Sequence, residues 1–427
     1  RQPALLAVLG KLYAFFDKPD EAEKAYRAAL KEAPRDLPAH REYIGWLIEM
    51  GEEKRALQAV RRAMKNVPDD TMLENDHALI LYRLGRMEEA KKEFLKLSRN
   101  KPLEITYVYN YAWMLHQEGH LIPASNILEQ YLTKVGFDSE AAFFCAQILA
   151  ETREQENFKR AIGYLNKVIA SNDTDARAWS LLGWLQMESG DLKAAHFSYT
   201  KALKNAPEDP AVLVMTAAFF TGTLQFDKAE FTLEILKKTE PEGDDYLVEL
   251  ARFYQARGEY GHSVKPLQEL FIRSPLEHGY ALACTLHHLG ERTEARAVLS
   301  GSLDREADRS NSVARGWFHF LQNDIDKAVS VTSKGMSESA ETSDFRNLAV
   351  YYLAQGRFDD ARQCLRVFMS LVSQPLDVLF FIKDLDEYAD RFSRNEARDF
   401  TLELTVKLKE MIEPLEGLAD FPEDVAP

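Results

Sequence analysis

Cysteine is scarce in this chain. Three residues, Cys145, Cys284 and Cys364, lie far apart and are odd in number, so neither a disulfide framework nor a Cys-x-x-Cys pair is available. That usage suits a reducing compartment and is compatible with the periplasm, where many proteins lack bridges. Gly (20) and Pro (16) are too few among 427 residues for a fibrous or linker-rich chain. The longest nearly uncharged stretch, residues 211–225, falls short of the roughly 20 residues that span a bilayer. No basic–apolar–small leader opens the sequence. Positive charge is the minority sign: 53 Lys and Arg against 68 Asp and Glu give a net −15, which disfavours non-specific attachment to nucleic acid or anionic membranes. Reactive constellations are missing as well. There is no phosphate-cradling Gly loop, no His-Glu-x-x-His and no Gly-x-Ser-x-Gly elbow, so the sequence predicts no enzyme and no cofactor.

What is present is periodic. With 46% hydrophobic residues the chain has ample material for a core. An Ala that follows a short turn recurs at Ala22, Ala56, Ala90, Ala124, Ala161, Ala195, Ala229, Ala295, Ala328 and Ala361, with Ser263 in the same register. Successive spacings are 34 residues or within a few of it. Twelve residues earlier most units place another small residue, among them Gly10, Ala112, Gly183 and Gly316. Close approach of two helices in a hairpin requires such residues. Five residues before the Ala stands Gly in seven units, from Gly51 to Gly356, where the first helix must end with positive φ. Twelve residues after it comes Pro34, Pro68, Pro102, Pro207, Pro241 or Pro275, which stops the second helix. The best single copy joins Trp179, Leu182 and Gly183 to Gly190, Ala195, Tyr199, Ala202 and Pro207.

These columns resemble the tetratricopeptide repeat, a 34-residue helix–turn–helix unit. The resemblance implies an all-α, right-handed superhelical solenoid in which the first helix of each pair lines a concave groove. The predicted organisation is eleven repeats over residues 3–375, starting near 3, 37, 71, 105, 139, 176, 210, 244, 276, 309 and 342. C-terminal capping helices follow at 376–413, with an acidic tail at 414–427. Two longer helices are expected in the cap, the first marked by Phe381, Leu385, Tyr388 and Phe392. Repeat five has about three extra residues between its helices near Arg153–Asn157, and the units around Asp304–Arg309 and Ser330–Ser343 are degenerate. Repeat one opens on Leu5, Leu6, Val8 and Leu9, apolar on several sides, which predicts further repeats or another domain upstream.

Groove places implied by the resemblance include Phe15, Tyr82, Tyr109, Trp113, Phe143, Trp184 and Met187, and later Met215, Arg252, Tyr280, Trp317 and Phe320. Aromatic and thioether side chains gathered in a concavity are anchors for a partner peptide or helix; the alternative is that they pack against the next repeat. The Lys-then-Asn pairing by which some relatives grip chaperone C-termini is not met: repeats one and two show Ala7 with Lys11 and Arg41 with Gly45.

Smaller features read structurally. Cys284, His287 and His288 share a helix face that zinc could use, but no fourth ligand is apparent and no metal site is predicted. Asp69–Asp70 and Asp244–Asp245 fall in turns, where carboxylates cap helices. Residues 1–104 are slightly basic, with 20 basic against 18 acidic groups, and the run Lys54, Arg55, Arg61, Arg62 and Lys65 reads as a solvated helix face as readily as an anion patch. The function expected is a non-catalytic scaffold that binds another protein or peptide in its groove, with repeats four to six as the primary contact. It would not bind nucleic acid or insert directly into a membrane, and would form part of a larger chain or complex. Two alternatives stand: a periplasmic module of a bacterial envelope or exopolysaccharide secretion assembly, anchored through an N-terminal segment, and a peptide-sensing regulator.

Overall fold

In a computed structural model the described residues are 2–240, 243–303, 312–336, 340–391, 394–416 and 418. Pro241, the run Asp304–Arg309, part of Ser330–Ser343, Phe392 and most of the acidic tail lie outside them. Among the described residues there are 24 α-helices and no strand. Contacts divide the chain into two units, Arg1–Val168 and Ile169–Pro427.

Unit 1 is a run of antiparallel hairpins. It opens with α1 (Gln2–Phe15), α2 (Pro19–Glu32), α3 (Leu37–Glu49) and α4 (Glu53–Asn66). Then follow α5 (Thr71–Arg83), α6 (Met87–Asn100), α7 (Ile105–Gln117) and α8 (Leu121–Val135). The last pair is α9 (Ser139–Glu151) and α10 (Gln155–Ser171). Odd-numbered first helices and even-numbered second helices alternate in packing.

Unit 2 repeats the scheme with α11 (Ala176–Glu188), α12 (Leu192–Asn205), α13 (Pro210–Gly222) and α14 (Phe226–Thr239). Next come α15 (Asp244–Arg257), α16 (Tyr260–Arg273), α17 (Pro275–His288) and α18 (Arg292–Leu303). α19 (Ser312–Leu321), α20 (Ile325–Met336), α21 (Thr342–Ala354) and α22 (Phe358–Leu371) continue it. α23 (Pro375–Glu387), α24 (Arg394–Ile412) and a 3-10 turn at Glu413–Leu415 close the chain.

The sequence columns explain the hairpins. All ten periodic Ala residues and Ser263 are 0% exposed, because each sits where two helices cross. A Cβ on Gly183 would lie 3.0 Å from the Tyr199 ring and one on Gly10 2.8 Å from the Tyr26 ring, so these crossings leave almost no room for a side chain. The seven turn glycines adopt φ between 69° and 83°, ending the first helices. Five first helices begin with an Asp whose carboxylate accepts an N–H three residues on: Asp36, Asp70, Asp138, Asp175 and Asp209, at 2.9–3.2 Å. Each satisfies a donor that the helix itself leaves unpaired.

Three local expectations change. The extra residues of repeat five do not form a loop; they lengthen α10 to 17 residues where other second helices have 14 or so. Asp244–Asp245 lies inside the first turn of α15, with Gly243 at the N-cap, so the pair favours the helix dipole without capping it. The two terminal helices are not both long: α23 has 13 residues, the length of an ordinary first helix, and only α24, with 19, is longer.

Candidate functional site

The first helices of unit 1 form one candidate surface. Their side chains meet those of the next hairpin about one repeat away. Asn110 Nδ2 donates to Asn75 Oδ1 at 2.7 Å, and Tyr107 donates to Thr71 at 2.9 Å. Tyr82 and Trp113 stack edge to face with centroids 4.7 Å apart, and Tyr109 lies 4.5 Å from Phe144. Tyr82, Tyr109 and Trp113 are half-buried, whereas Phe143 is 9% exposed. At one end a concavity of about 690 Å³ opens between α1 and α3, lined by Lys11, Phe15, Arg41, Gly45, Trp46 and Met50 among others. Phe15, 83% exposed, stands at its wall. Leu5, Val8 and Leu12 of α1, and Phe16 just past it, are also exposed.

Unit 2 holds a helix of its own against the corresponding surface. α23 and the residues that flank it, Gln374 and Tyr388, meet first helices from five consecutive hairpins. It packs on α13, and the Gln374 side chain occupies the space a Cβ on Gly222 would need. From α15, Arg252 donates to Gln374 Oε1 at 2.6 Å, while Lys383 donates to the carbonyl of Ala256 at 3.2 Å, near that helix's C-terminus. From α17, His287 and His288 reach the two carboxylate oxygens of Glu387 at 3.0 and 2.6 Å. From α19, Trp317 packs in an aromatic cluster with Tyr280 and His287, and Tyr388, just past α23, packs on both His287 and Phe320. From α21, Arg346 pairs with Asp384 at 3.2 Å.

The two faces of α23 explain why it stays there. Val378, Phe381 and Leu385 are at most 1% exposed and join the core with Phe368 and Tyr351. The acidic face meets Arg252, Arg346 and the two imidazoles. Burial pushes the Asp384 and Asp377 carboxyls up, with Arg346 opposing the shift in both. Burial would also raise Glu387, but hydrogen bonds from His287 and His288 prevail and hold it at about 2. Burial lowers the Lys383 ammonium, which the α15 carbonyls then receive.

The residues singled out by sequence therefore fall in different surroundings. Met187 (5%) and Trp317 (7%) are buried in the apolar core of unit 2, and Trp184 is half-buried at its edge. Phe320 is fully buried, Met215 and Tyr280 are half-buried, and Arg252 is engaged by Gln374. The signature residues Gly183, Gly190, Ala195, Tyr199 and Pro207 sit in and around the α11–α12 hairpin. Sequence reasoning missed Gln374, Lys383, Asp384 and Glu387. Their partners lie up to 128 residues away, and no local period marks a helix destined for a distant groove. Cys284 does not converge with His287 and His288, both of which turn to Glu387. Among the described residues no group of three or more His, Cys, Asp or Glu side chains is placed to hold a metal ion, and no helix is long and apolar enough to cross a membrane.

Tetratricopeptide-repeat family models match residues 1–135, 152–218 and 346–366. No curated protein matches. Among solved structures, the human IFIT1 dimer with m7Gppp-AAAA is 15% identical, with 86% of this chain and 90% of that chain covered and a TM-score of 0.47. Cut9–Hcn1, from the APC/C hetero-tetramer, is 11% identical over 97% of each chain, with a TM-score of 0.40. MamA from Desulfovibrio magneticus is 17% identical over 39% of this chain and 93% of that one, with a TM-score of 0.35.

Proposed function

The chain belongs to the tetratricopeptide-repeat family, and on that premise we propose that it is a non-catalytic scaffold whose unit 1 binds a segment of another protein on its first-helix face. One observation carries the reading. Unit 2 seats α23 and its flanking residues Gln374 and Tyr388 against five first helices through buried apolar contacts, two hydrogen-bonded imidazoles and an Arg–Asp pair. The chain thus uses this kind of surface to hold a helix, and among the described residues of unit 1 no helix of that unit is laid on its counterpart.

The unit 1 face supplies anchors of the right chemistry. Tyr82, Tyr109 and Trp113 present half-buried rings held in place by neighbouring hairpins, so little side-chain entropy remains to be lost on binding. Phe15, Arg41 and Trp46 add an aromatic and charged rim at the α1–α3 concavity. Such preformed aromatic surfaces bind by burying apolar area, at about 25 cal/mol per Å² before ordering costs are subtracted.

The test is partner capture by the full chain and by a Tyr82→Ala/Trp113→Ala variant, with circular dichroism as the check on fold. A partner retained by the native chain and lost by the variant supports the reading. Equal capture by a folded variant overturns it. Removal of a central aromatic anchor is expected to weaken binding by about 2 kcal/mol or more, roughly 30-fold.

A further inference from the structure

A second surface of unit 1 lies between second helices. α2 and α4 border a furrow of about 680 Å³, with α3 contributing His40 and Tyr43. That volume is within the range of ligand sites. Four cations line it: Arg27 and Lys31 from α2, Arg55 and Arg62 from α4. Glu23 pairs with two of them, Arg27 at 2.7 Å and Arg55, and accepts a hydrogen bond from Tyr43. Lys31 and Arg62 are exposed and make no ion pair among the described residues. Leu30, Pro34 and Ala59 give the furrow apolar wall.

The fold supplies its own control. Two repeats further on, α6, α7 and α8 form an equivalent furrow of about 400 Å³, with Pro102 and Tyr111 in the places of Pro34 and Tyr43. There Leu95 replaces Arg27 and Gln130 replaces Arg62. The furrow is thus a consequence of stacking, whereas the cation set belongs to the first one alone of the two. Cations near helix C-termini favour the dipole, which accounts for Lys31 but not for Arg27 and Arg55, which lie well before the helix ends.

We propose that the α2–α4 furrow binds a short acidic peptide segment of a partner, in extended form. Arg55 and Arg62 are seven residues apart on one helix, about 10 Å along its axis, which matches carboxylates three residues apart in an extended chain. Three of the four cations are Arg, whose forked guanidinium groups suit carboxylates. The apolar wall fits intervening aliphatic side chains. A nucleic-acid backbone needs a basic track that continues, and in the equivalent furrow of α6–α8 the cation set is reduced to Arg99 and Lys134. This surface is distinct from the first-helix face, so the two readings fail separately.

The experiment is fluorescence anisotropy on the full chain with labelled hexaglutamate, and with hexa-adenylate RNA as competitor class. Saturable hexaglutamate binding that weakens with added salt and falls about tenfold or more in Lys31→Glu/Arg62→Glu is the expected result. The milder Lys31→Gln/Arg62→Gln pair, which leaves no new charge at the helix ends, should fall in the same direction. Arg99→Glu/Lys134→Glu in the equivalent furrow should bind as the native chain does. Absence of saturable binding, equal loss in the control furrow, or preference for the RNA overturns the proposal.

Discussion

Asp384 on α23 lies 3.2 Å from Arg346 on α21, and three residues on, Glu387 takes one imidazole on each carboxylate oxygen from His287 and His288 of α17. A single acidic helix face is thereby tied to two different hairpins of unit 2. Removing one partner of such a set leaves buried charge uncompensated, which is more damaging than never having built it.

Glu387 gives this arrangement a pH signature. Its folded pKa, about 2, is depressed from 4.5. A depressed carboxylate contributes stability above its unfolded pKa and loses it as pH falls through the folded value. The native chain should exceed Glu387→Gln in stability by at most about 3 kcal/mol at neutral pH. That gap should close between about pH 4.5 and pH 2. Urea unfolding of both chains across this range measures it, and a constant gap would contradict the assignment.

His196 on α12 should titrate in the opposite chemical sense with the same pH direction. Burial first, and then Lys228 at 3.2 Å, lowers its pKa from 6.5 to about 4. A His held neutral contributes stability present above 6.5 and lost as pH falls toward 4. His196→Leu should flatten the stability profile over that window, where the native chain loses about 3 kcal/mol. Proton NMR of the imidazole would check the pKa directly.

The hairpin crossings make a steric prediction. Leu in place of Ala195, which is 0% exposed, or of Gly183 beside the Tyr199 ring should destabilise unit 2 by about 1–3 kcal/mol or more. Chemical denaturation followed by circular dichroism is the measurement. A solenoid that accepted either side chain without loss would not have the crossings described.

Turn backbone predicts a reciprocal pair. Arg153 is exposed with φ of 55°, in a region where non-Gly residues are strained by about 1–2 kcal/mol. Arg153→Gly should therefore stabilise by about 0.5–1 kcal/mol after the added unfolded-chain entropy is subtracted. Gly190, at φ of 81°, has no neighbour within 4 Å of a built Cβ. Gly190→Ala should destabilise by about 1 kcal/mol through backbone strain alone. Thermal unfolding of the two variants decides both.

The sequence by itself determined the local architecture of this protein. A small residue every 34 or so positions, a Gly five before it and an Asp at the start of many first helices act within one hairpin or between adjacent ones. Their geometry follows from helix pitch, cap chemistry and van der Waals contact over short chain separations. Only the tertiary structure decided what those helices face. The burial of Phe143, Met187 and Trp317, the cation furrow of α2 and α4, and the lodging of α23 on α13 through α21 depend on how successive hairpins rotate and on contacts across 100 residues or more. Those contacts are selected by summed packing and charge complementarity in three dimensions, for which a linear pattern has no coordinate.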